Sequence, residues 1–315
     1  MTATRNTIVR VLDFMGRRGT LILAAGTFIG LAWPALAAVL RPALTPIIFG
    51  GMVVSMLRID WPRVGLHARS PGTALALAWM LGGAPLVMAA MVAVLPLPAP
   101  LQTAVLLKSM SAPVLAAVAY AFLLGLDATL ALVVAVAATL LIPFTLPPMA
   151  LLVLGLDLHI AVLPFVLRLV ALVGGAMAVA VAIRRVIGKA HLTARGTVVD
   201  GANVALYLAF AVAIMDGVAA TFATRPGYVL LVTVVSFGAN LLLQAAALGL
   251  FWRLGRGRAA TLAMLSGNRN LAILLAVLGD AADYDVLIYF ALGQLPIFLL
   301  PVLLGPVYRR ITARA

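Results

Sequence analysis

Two short stretches carry the residues with chemical potential. "LSGNRN", residues 265–270, joins the apolar runs "RAATLAM" and "LAILLAVLG". "KSMSAP", residues 108–113, lies inside "APLQTAVLLKSMSAPVLAAVAYAFL". Each sets one cation, Arg269 or Lys108, among small polar residues in the middle of an apolar run. A cation at mid-bilayer costs roughly 2.5–3.5 kcal/mol on insertion scales, so it reads first as function and second as a structural pairing. The chemistry on offer is positive charge held at depth. A guanidinium carries five donors in a rigid fork and stays charged, whereas an ammonium is a compact point charge.

Both stretches can break a helix. Pro113 has no backbone donor and disfavours helix at Ala112. Ser109 and Ser111 compete for freed backbone groups. In the other stretch Gly267, Asn268 and Asn270 predict unwound or left-handed backbone. Inside a membrane such backbone survives only where it is buried in protein or lines a cavity. Breaks at matched places in two halves of a chain mark a midplane binding site. An ordinary kink, its polar groups bonded to neighbouring helices, is the plainer reading of either stretch alone. The candidate substrate- or ion-binding set is Lys108, Ser109, Ser111, Pro113, Ser266, Gly267, Asn268, Arg269 and Asn270, with Asn240 and Gln244, which share a helix face one turn apart. No catalytic residue and no metal ligand is expected.

The elements that position these residues follow from composition. The 315 residues are 65% hydrophobic and 10% charged, with mean hydropathy +1.19. No soluble domain is so apolar. The net charge of +13 sits in clusters between apolar runs, which fits membrane loops better than a nucleic-acid face. All nine acids are Asp, and there is no Cys, which excludes thiol chemistry, disulfides and Cys-ligated metal. Apolar runs at 19–38, 40–57, 70–94, 99–123, 127–154, 159–183, 201–222, 227–251, 258–279 and 286–307 predict ten transmembrane helices. Strands of a barrel would be shorter and alternating. The start of the chain mimics a signal peptide, but its apolar run is long enough to span and is read as a retained first span. Ile8, Val9, Val11, Leu12, Phe14 and Met15 before it predict a short amphipathic helix on the cytoplasmic surface.

With the N-terminus inside, the inner segments hold Arg5, Arg10, Arg17, Arg18, Arg58, Arg63, Arg69, Arg184, Arg185, Lys189, Arg195, Arg253, Arg256, Arg258, Arg309, Arg310 and Arg314. The outer loops hold Arg41 and Arg225, and the last one carries Asp280, Asp283 and Asp285. This bias predicts both termini in the cytoplasm of a bacterial cell, with the chain multi-pass in the inner membrane. Lys108, Arg168 and Arg269 remain within spans. Ten spans divide into two inverted five-helix repeats, 19–154 and 159–307, between a cytoplasmic N-terminal segment 1–18 and a tail 308–315.

Residues 111–155, "SAPVLAAVAYAFLLGLDATLALVVAVAATLLIPFTLPPMALLVLG", with Pro143 and Pro147, and the stretch "GNRNLAILLAV" resemble the fourth, fifth and ninth spans of the bile acid:sodium symporter family. The resemblance covers nearly the whole chain. It implies an all-α polytopic fold in which a panel of spans 1, 2, 6 and 7 faces a core of spans 3, 4, 5, 8, 9 and 10. Broken helices 4 and 9 cross in the core, sodium binds at the crossing, and an organic anion binds between core and panel. The chain departs from the family at the sodium ligands. Leu265 stands at the family's bridging Glu and Arg269 at its Gln, while Asn270 is kept. Ala112 and Pro113 stand at its Ser-Asn pair, Ala131 and Ala135 at its hydroxyl ligands, and Trp79 or Met80 near its third-span Gln. A hard cation needs several oxygen ligands, usually with a carboxylate.

The expectation is therefore a secondary active transporter of a small organic anion, working by alternating access without sodium. Lys108 and Arg269 supply the positive charge at the crossing, and the expected partners are the anion and the bilayer, with no nucleic acid and no cofactor. Two roles are open to Arg269: a tethered replacement for a bound ion, or a clamp on a substrate carboxylate. Two are open to Lys108: exchanging protons in a transport cycle, or staying charged and paired with a carbonyl. Sodium-coupled symport through backbone carbonyls and Asn270 is a second reading, and a transport-dead membrane sensor or scaffold is one of another class. No enzyme is expected, since a Ser109–Lys108 nucleophile pair would point about 100° apart on a helix. Arg168 and Asp216 are expected to pair inside the panel. Asp200, Asn203 and Asp127 are expected as helix caps. His67, His159 and His191 are placed in loops, too scattered for a metal.

Overall fold

In the computed structural model the described residues are 2–57, 59–154, 162–279 and 282–313. Arg58, His159, Asp280 and Arg314 lie outside them, as do the side chains of Arg5 and Arg63. Among the described residues the chain is helical, with no strand beyond one isolated bridge.

The chain opens with α1 (Thr2–Arg17) and α2 (Gly19–Ala32). Ile8, Val9, Val11 and Phe14 of α1 are exposed, as the amphipathic pattern predicts. Then come α3 (Pro34–Leu40), α4 (Leu44–Leu57), α5 (Trp61–Ala68), α6 (Pro71–Ala78) and α7 (Ala84–Val94). The expected first span, 19–38, stops early. Pro34 disfavours helix at Trp33, which adopts φ −128° and ψ 72°, and a new run starts with Pro34 at its first position. That run passes through a 3₁₀ turn at Arg41–Ala43, so Arg41 lies within a helical run rather than in an outer loop. Between α6 and α7 the helix widens into a π-type segment, Trp79–Gly83.

Next follow α8 (Ala99–Met110), α9 (Ala117–Leu123), α10 (Ala128–Leu154), α11 (Val162–Ile187), α12 (Lys189–Ala194), α13 (Gly196–Ala213) and α14 (Val218–Thr224). The expected seventh span is interrupted at Gly217, whose φ of +82° is a left-handed conformation that glycine adopts without a Cβ clash. The chain ends with α15 (Pro226–Phe251), α16 (Arg256–Gly267), α17 (Leu271–Leu278), α18 (Tyr284–Leu292), α19 (Gln294–Leu303) and α20 (Gly305–Ala313). His67 and His191 sit on the short helices α5 and α12, not in loops.

Seven runs among the described residues are long and apolar enough to cross a membrane: Pro34–Leu57, Pro71–Val94, Ala128–Leu154, Leu163–Ile187, Gly196–Thr224, Pro226–Leu254 and Tyr284–Leu303. The chain is an all-α, multi-pass membrane protein. The three remaining expected spans fall short for visible reasons. The first is reduced to a shorter apolar helix, Leu21–Ala32, and those at 99–123 and 258–279 are each broken into two helices.

The chain divides into two compact units. The first comprises Met1–Ile59 and Ala171–Pro226. Here α13 packs against α1, α2, α3 and α4. Glycine permits the closest approaches: a Cβ on Gly201 would overlap the Leu12 carbonyl, and one on Gly16 would overlap the Thr197 carbonyl. Arg41 Nη1 meets Asp216 Oδ2 at 2.8 Å. Asn203 lies inside α13 and donates to Ser55 Oγ at 3.0 Å. Asn203 and Asp200 are thus not caps, because α13 starts earlier, at Gly196.

The second unit comprises Asp60–Val170 and Gly227–Ala315. Its centre is α10, which packs against α5, α6, α7, α8, α9 and α16, while α8 also touches α7, α17 and α18. Arg168 belongs to this unit and donates to the Val277 carbonyl at 3.3 Å, in the last turn of α17. The expected Arg168–Asp216 pair does not form. Asp216 is taken by Arg41, and Arg168 neutralises a helix C-terminus, where a cation is favoured.

Candidate functional site

Every candidate site residue lies in the second unit and is buried. The site is built where the two broken helices meet. α8 ends at Met110 and α9 resumes at Ala117, while α16 ends at Gly267 and α17 resumes at Leu271. The two gaps pair as a short antiparallel ribbon, with Pro113 opposite Arg269. The Asn270 amide donates to the Ala112 carbonyl at 2.8 Å, and the Val114 amide donates to the Asn268 carbonyl at 2.9 Å. Four backbone groups that neither helix can use are satisfied by the other gap, which is what makes the break tolerable at depth.

Side chains close the remaining helix ends. Ser109 donates to the Leu106 carbonyl at 2.6 Å and Ser111 to the Lys108 carbonyl at 2.9 Å. Asn268 Nδ2 donates to the Met264 carbonyl at 2.8 Å. Asn270 Oδ1 caps α17 by accepting from the Ile273 amide. Of the two expected forms, unwound or left-handed, the backbone takes the unwound one: no described non-glycine residue has positive φ. Asn268, at φ −92° and ψ 79°, and Asn270, at φ −82° and ψ 85°, break the helix in ordinary φ space. Gly267 is itself helical, and its role is clearance. A Cβ there would overlap Asn240 Oδ1 and come within 2.7 Å of Gln244 Cγ.

Arg269 is fully buried, at 0% exposure. Nε donates to the Ser266 carbonyl at 2.7 Å, and Nη1 donates to the Met80 carbonyl at 2.8 Å and the Ser111 carbonyl at 2.9 Å. Ser111 follows the end of α8, Ser266 lies in the last turn of α16, and Met80 lies in the π-type segment. Carbonyls at helix C-termini carry partial negative charge and lack intrahelical donors. One guanidinium therefore joins three interrupted segments. Nη2 has no hydrogen-bond partner.

Lys108 sits in the last turn of α8, 1% exposed. Its Nζ donates to the Ser236 carbonyl at 3.4 Å and lies 5.9 Å from the centre of the Tyr289 ring. Asp127, the acid nearest in sequence, is engaged as a cap: its Oδ1 accepts from the Leu130 amide at 2.9 Å. Lys108 and Ser109 do not bond each other, since the hydroxyl is turned to Leu106 and the amine to Ser236.

A polar relay borders Gly267. Tyr308 on α20 donates to Gln244 Oε1, and Gln244 Nε2 donates to Asn240 Oδ1 at 2.6 Å. The shared face of Asn240 and Gln244 was legible in the sequence, whereas Tyr308 was not. Trp79 also went unseen as a donor. Its Nε1 donates to Ser266 Oγ at 2.8 Å. The resemblance set Trp79 or Met80 near the family's third-span Gln, but gave Trp79 no donor role.

As a sodium site the crossing is poor. The carbonyls that converge there already accept from Arg269, and Leu265, fully buried, offers no oxygen on its side chain. Among the described residues no three His, Cys, Asp or Glu side chains gather to hold a metal. No protein-family model matches the chain, and no curated protein is similar to it in sequence.

Proposed function

We propose that this protein is a secondary transporter of a small organic anion, with ten spans in two inverted repeats, in which Arg269 is a tethered cation at the place where the resembling symporters hold sodium. The observation that carries the reading is the buried guanidinium, bonded to the ends of both broken helices and to the Met80 carbonyl. A bound cation would do the same work: it would neutralise converging helix C-termini and tie the core segments together. Arg269 does so without leaving, so the crossing holds its charge through a transport cycle. Among the described residues no carboxylate is bonded to its two spare Nη2 protons or to the Lys108 ammonium, which favours an anionic cargo.

The division of the chain supports the same reading. The first unit gathers the expected spans 1, 2 and 7 with about half of 6, and the second gathers spans 3, 4, 5, 8, 9 and 10 with the other half of 6. That is the grouping into panel and core that the resemblance implies.

The test is a melting-temperature screen of the purified protein against organic anions, in sodium and in choline buffers. A ligand that binds only the folded state raises the midpoint. Equal stabilisation in both buffers, lost in Arg269→Ala and reduced in Arg269→Lys, is the expected result. Stabilisation by sodium alone, or by an anion only when sodium is present, overturns the tethered-cation reading in favour of sodium coupling. Uptake of the stabilising anion into proteoliposomes separates a transporter from a sensor or scaffold.

A further inference from the structure

Several buried donors of the second unit have no hydrogen-bond partner among the described residues, Arg269 Nη2 and the Tyr289 hydroxyl among them. The Lys108 ammonium carries three N–H groups, yet among the described residues its hydrogen bonding is one long contact, 3.4 Å, to the Ser236 carbonyl. No described carboxylate lies within ion-pair distance of it, and the chain contains no Glu. The Tyr289 ring that the amine faces carries a hydroxyl with no partner, at 0% exposure. Arg269 Nη2, also at 0% exposure, has none either. Ser111 links the two cations directly: its amide donates to the Lys108 carbonyl at 3.1 Å and its carbonyl accepts from Arg269 at 2.9 Å.

The two cations differ in kind. Arg269 is matched by three carbonyls of interrupted segments. Lys108 gains from the dipole of α8, whose last turn it occupies, but a dipole supplies no acceptor. Buried charge that is neither paired nor fully hydrogen-bonded is among the most costly features a protein interior can hold. A negatively charged acceptor beside the amine removes that cost.

We propose that the Lys108 ammonium, which faces the Tyr289 ring, binds a compact anion: a halide or a carboxylate of one or two carbons. This rests on the anion-transport reading above and narrows it by size. Lys108 is 1% exposed and Tyr289 is 0% exposed. An anion that reaches the Lys108 amine is enclosed with it, which excludes large amphipathic bodies. The Arg269 guanidinium spends three of its N–H groups on carbonyls, so the Lys108 amine is the more open of the two cations to an anion.

The experiment uses the full chain, purified in non-ionic detergent in gluconate buffer. Its melting temperature is followed while choline bromide, chloride, formate, acetate or benzoate replaces choline gluconate at constant ionic strength. The expected result is a rise that saturates in bromide and formate and is missing in benzoate. In Lys108→Gln the half-saturating concentration increases by about tenfold or more, as loss of a charge-assisted hydrogen bond predicts, and Lys108→Arg restores it. Halide and carboxylate arms separate the two sources of the charge. Crystals soaked in bromide give an anomalous peak beside Lys108 Nζ, a readout that needs no variant to fold. Stabilisation by benzoate alone overturns the compact site and leaves organic-anion transport standing. Equal bromide responses in the parent and Lys108→Gln, or no peak at Lys108, also overturn it. No response to any anion overturns both this inference and the transport reading beneath it.

Discussion

The two units of the chain solve opposite problems. In the first, helices are brought so close that backbone touches backbone, and the charge within the apolar stretch is met by a carboxylate, Arg41 against Asp216. In the second, helices are interrupted, and the charges at the interruption are met by main-chain carbonyls. Close packing with paired charge makes a rigid body. Broken helices held by one guanidinium make a body whose centre depends on a single side chain. The contrast teaches where each unit is vulnerable: the first to added volume, the second to lost charge.

The sharpest way to break the comparison is Arg269→Ala. It strands three buried carbonyls and the ribbon that they anchor. Each buried acceptor left unsatisfied costs about 1–3 kcal/mol, so the melting temperature falls steeply or the protein fails to assemble. Arg269→Lys keeps the charge but not the fork, and recovers only part of the loss. A melting temperature unchanged in Arg269→Ala would mean that the ribbon, not the guanidinium, holds the crossing.

Second in size is Gly201→Ala in the first unit. The new methyl would overlap the Leu12 backbone, which cannot rotate away, and overpacking of this kind costs roughly 1–3 kcal/mol. Gly267→Ala in the second unit is the informative contrast, because its neighbours are the side chains of Asn240 and Gln244. Those can turn aside, so the loss in melting temperature is smaller than for Gly201→Ala. Gly238→Ala, with open space at its Cβ position, is the control for both. Equal losses at Gly201 and Gly267 would erase the distinction between backbone-limited and side-chain-limited packing.

What the sequence disclosed follows the same division. The two breaks were legible because Pro113, Gly267 and the asparagines are residues whose backbone chemistry differs in kind. The acceptors of Arg269 were not, because a carbonyl belongs to every residue and carries no letter. Met80 is the extreme case: it enters through its main chain, so its side chain says nothing. Arg168 was assigned to Asp216 because similar depth in neighbouring spans is all a sequence offers, and depth does not fix facing. Arg41 was placed in an outer loop because it falls between two apolar runs, yet a 3₁₀ turn carries the helix past it. The break at Gly217 passed unnoticed because a glycine in an apolar span is usually there for packing. Tyr308 is remote in sequence from the stretch that it serves, and only the fold brings α20 beside α16.

A smaller effect tests how much the first unit relies on its paired charge. The side chains of Arg41 and Asp216 are 40% and 22% exposed. Solvent screens such a pair, and exposed pairs contribute about 0–1 kcal/mol. Asp216→Asn therefore lowers the melting temperature slightly, well below the effect of Gly201→Ala. A loss as large as that of Arg269→Ala would show that the first unit, too, turns on one charge.

The smallest effect concerns α1, and pH reads it. The Thr197 hydroxyl and Arg17 hydrogen-bond the Asp13 carboxylate and hold its titration below the ordinary aspartate range. An acid whose folded value is depressed stabilises the fold above its unfolded value, about 3.9 for aspartate, and that contribution fades as pH falls through the folded value. The attachment of α1 to α13 through Thr197 should then be complete at neutral pH and weaken only in strong acid. Hydrogen exchange of the α1 amides, followed from neutral pH to about pH 3 after correction for intrinsic rates, measures it. Parent protein loses protection toward the acid end. Asp13→Asn, which carries no charge to lose, keeps a flat profile. Because Asp13 is about one third exposed, at 31%, the change is slight, and the glycine contact at Gly201 sets its ceiling: the helix that backbone packing holds does not leave when one carboxylate is protonated. Full release of α1 in acid by the parent alone would reverse that order and make charge, rather than close approach, the fastening of the first unit.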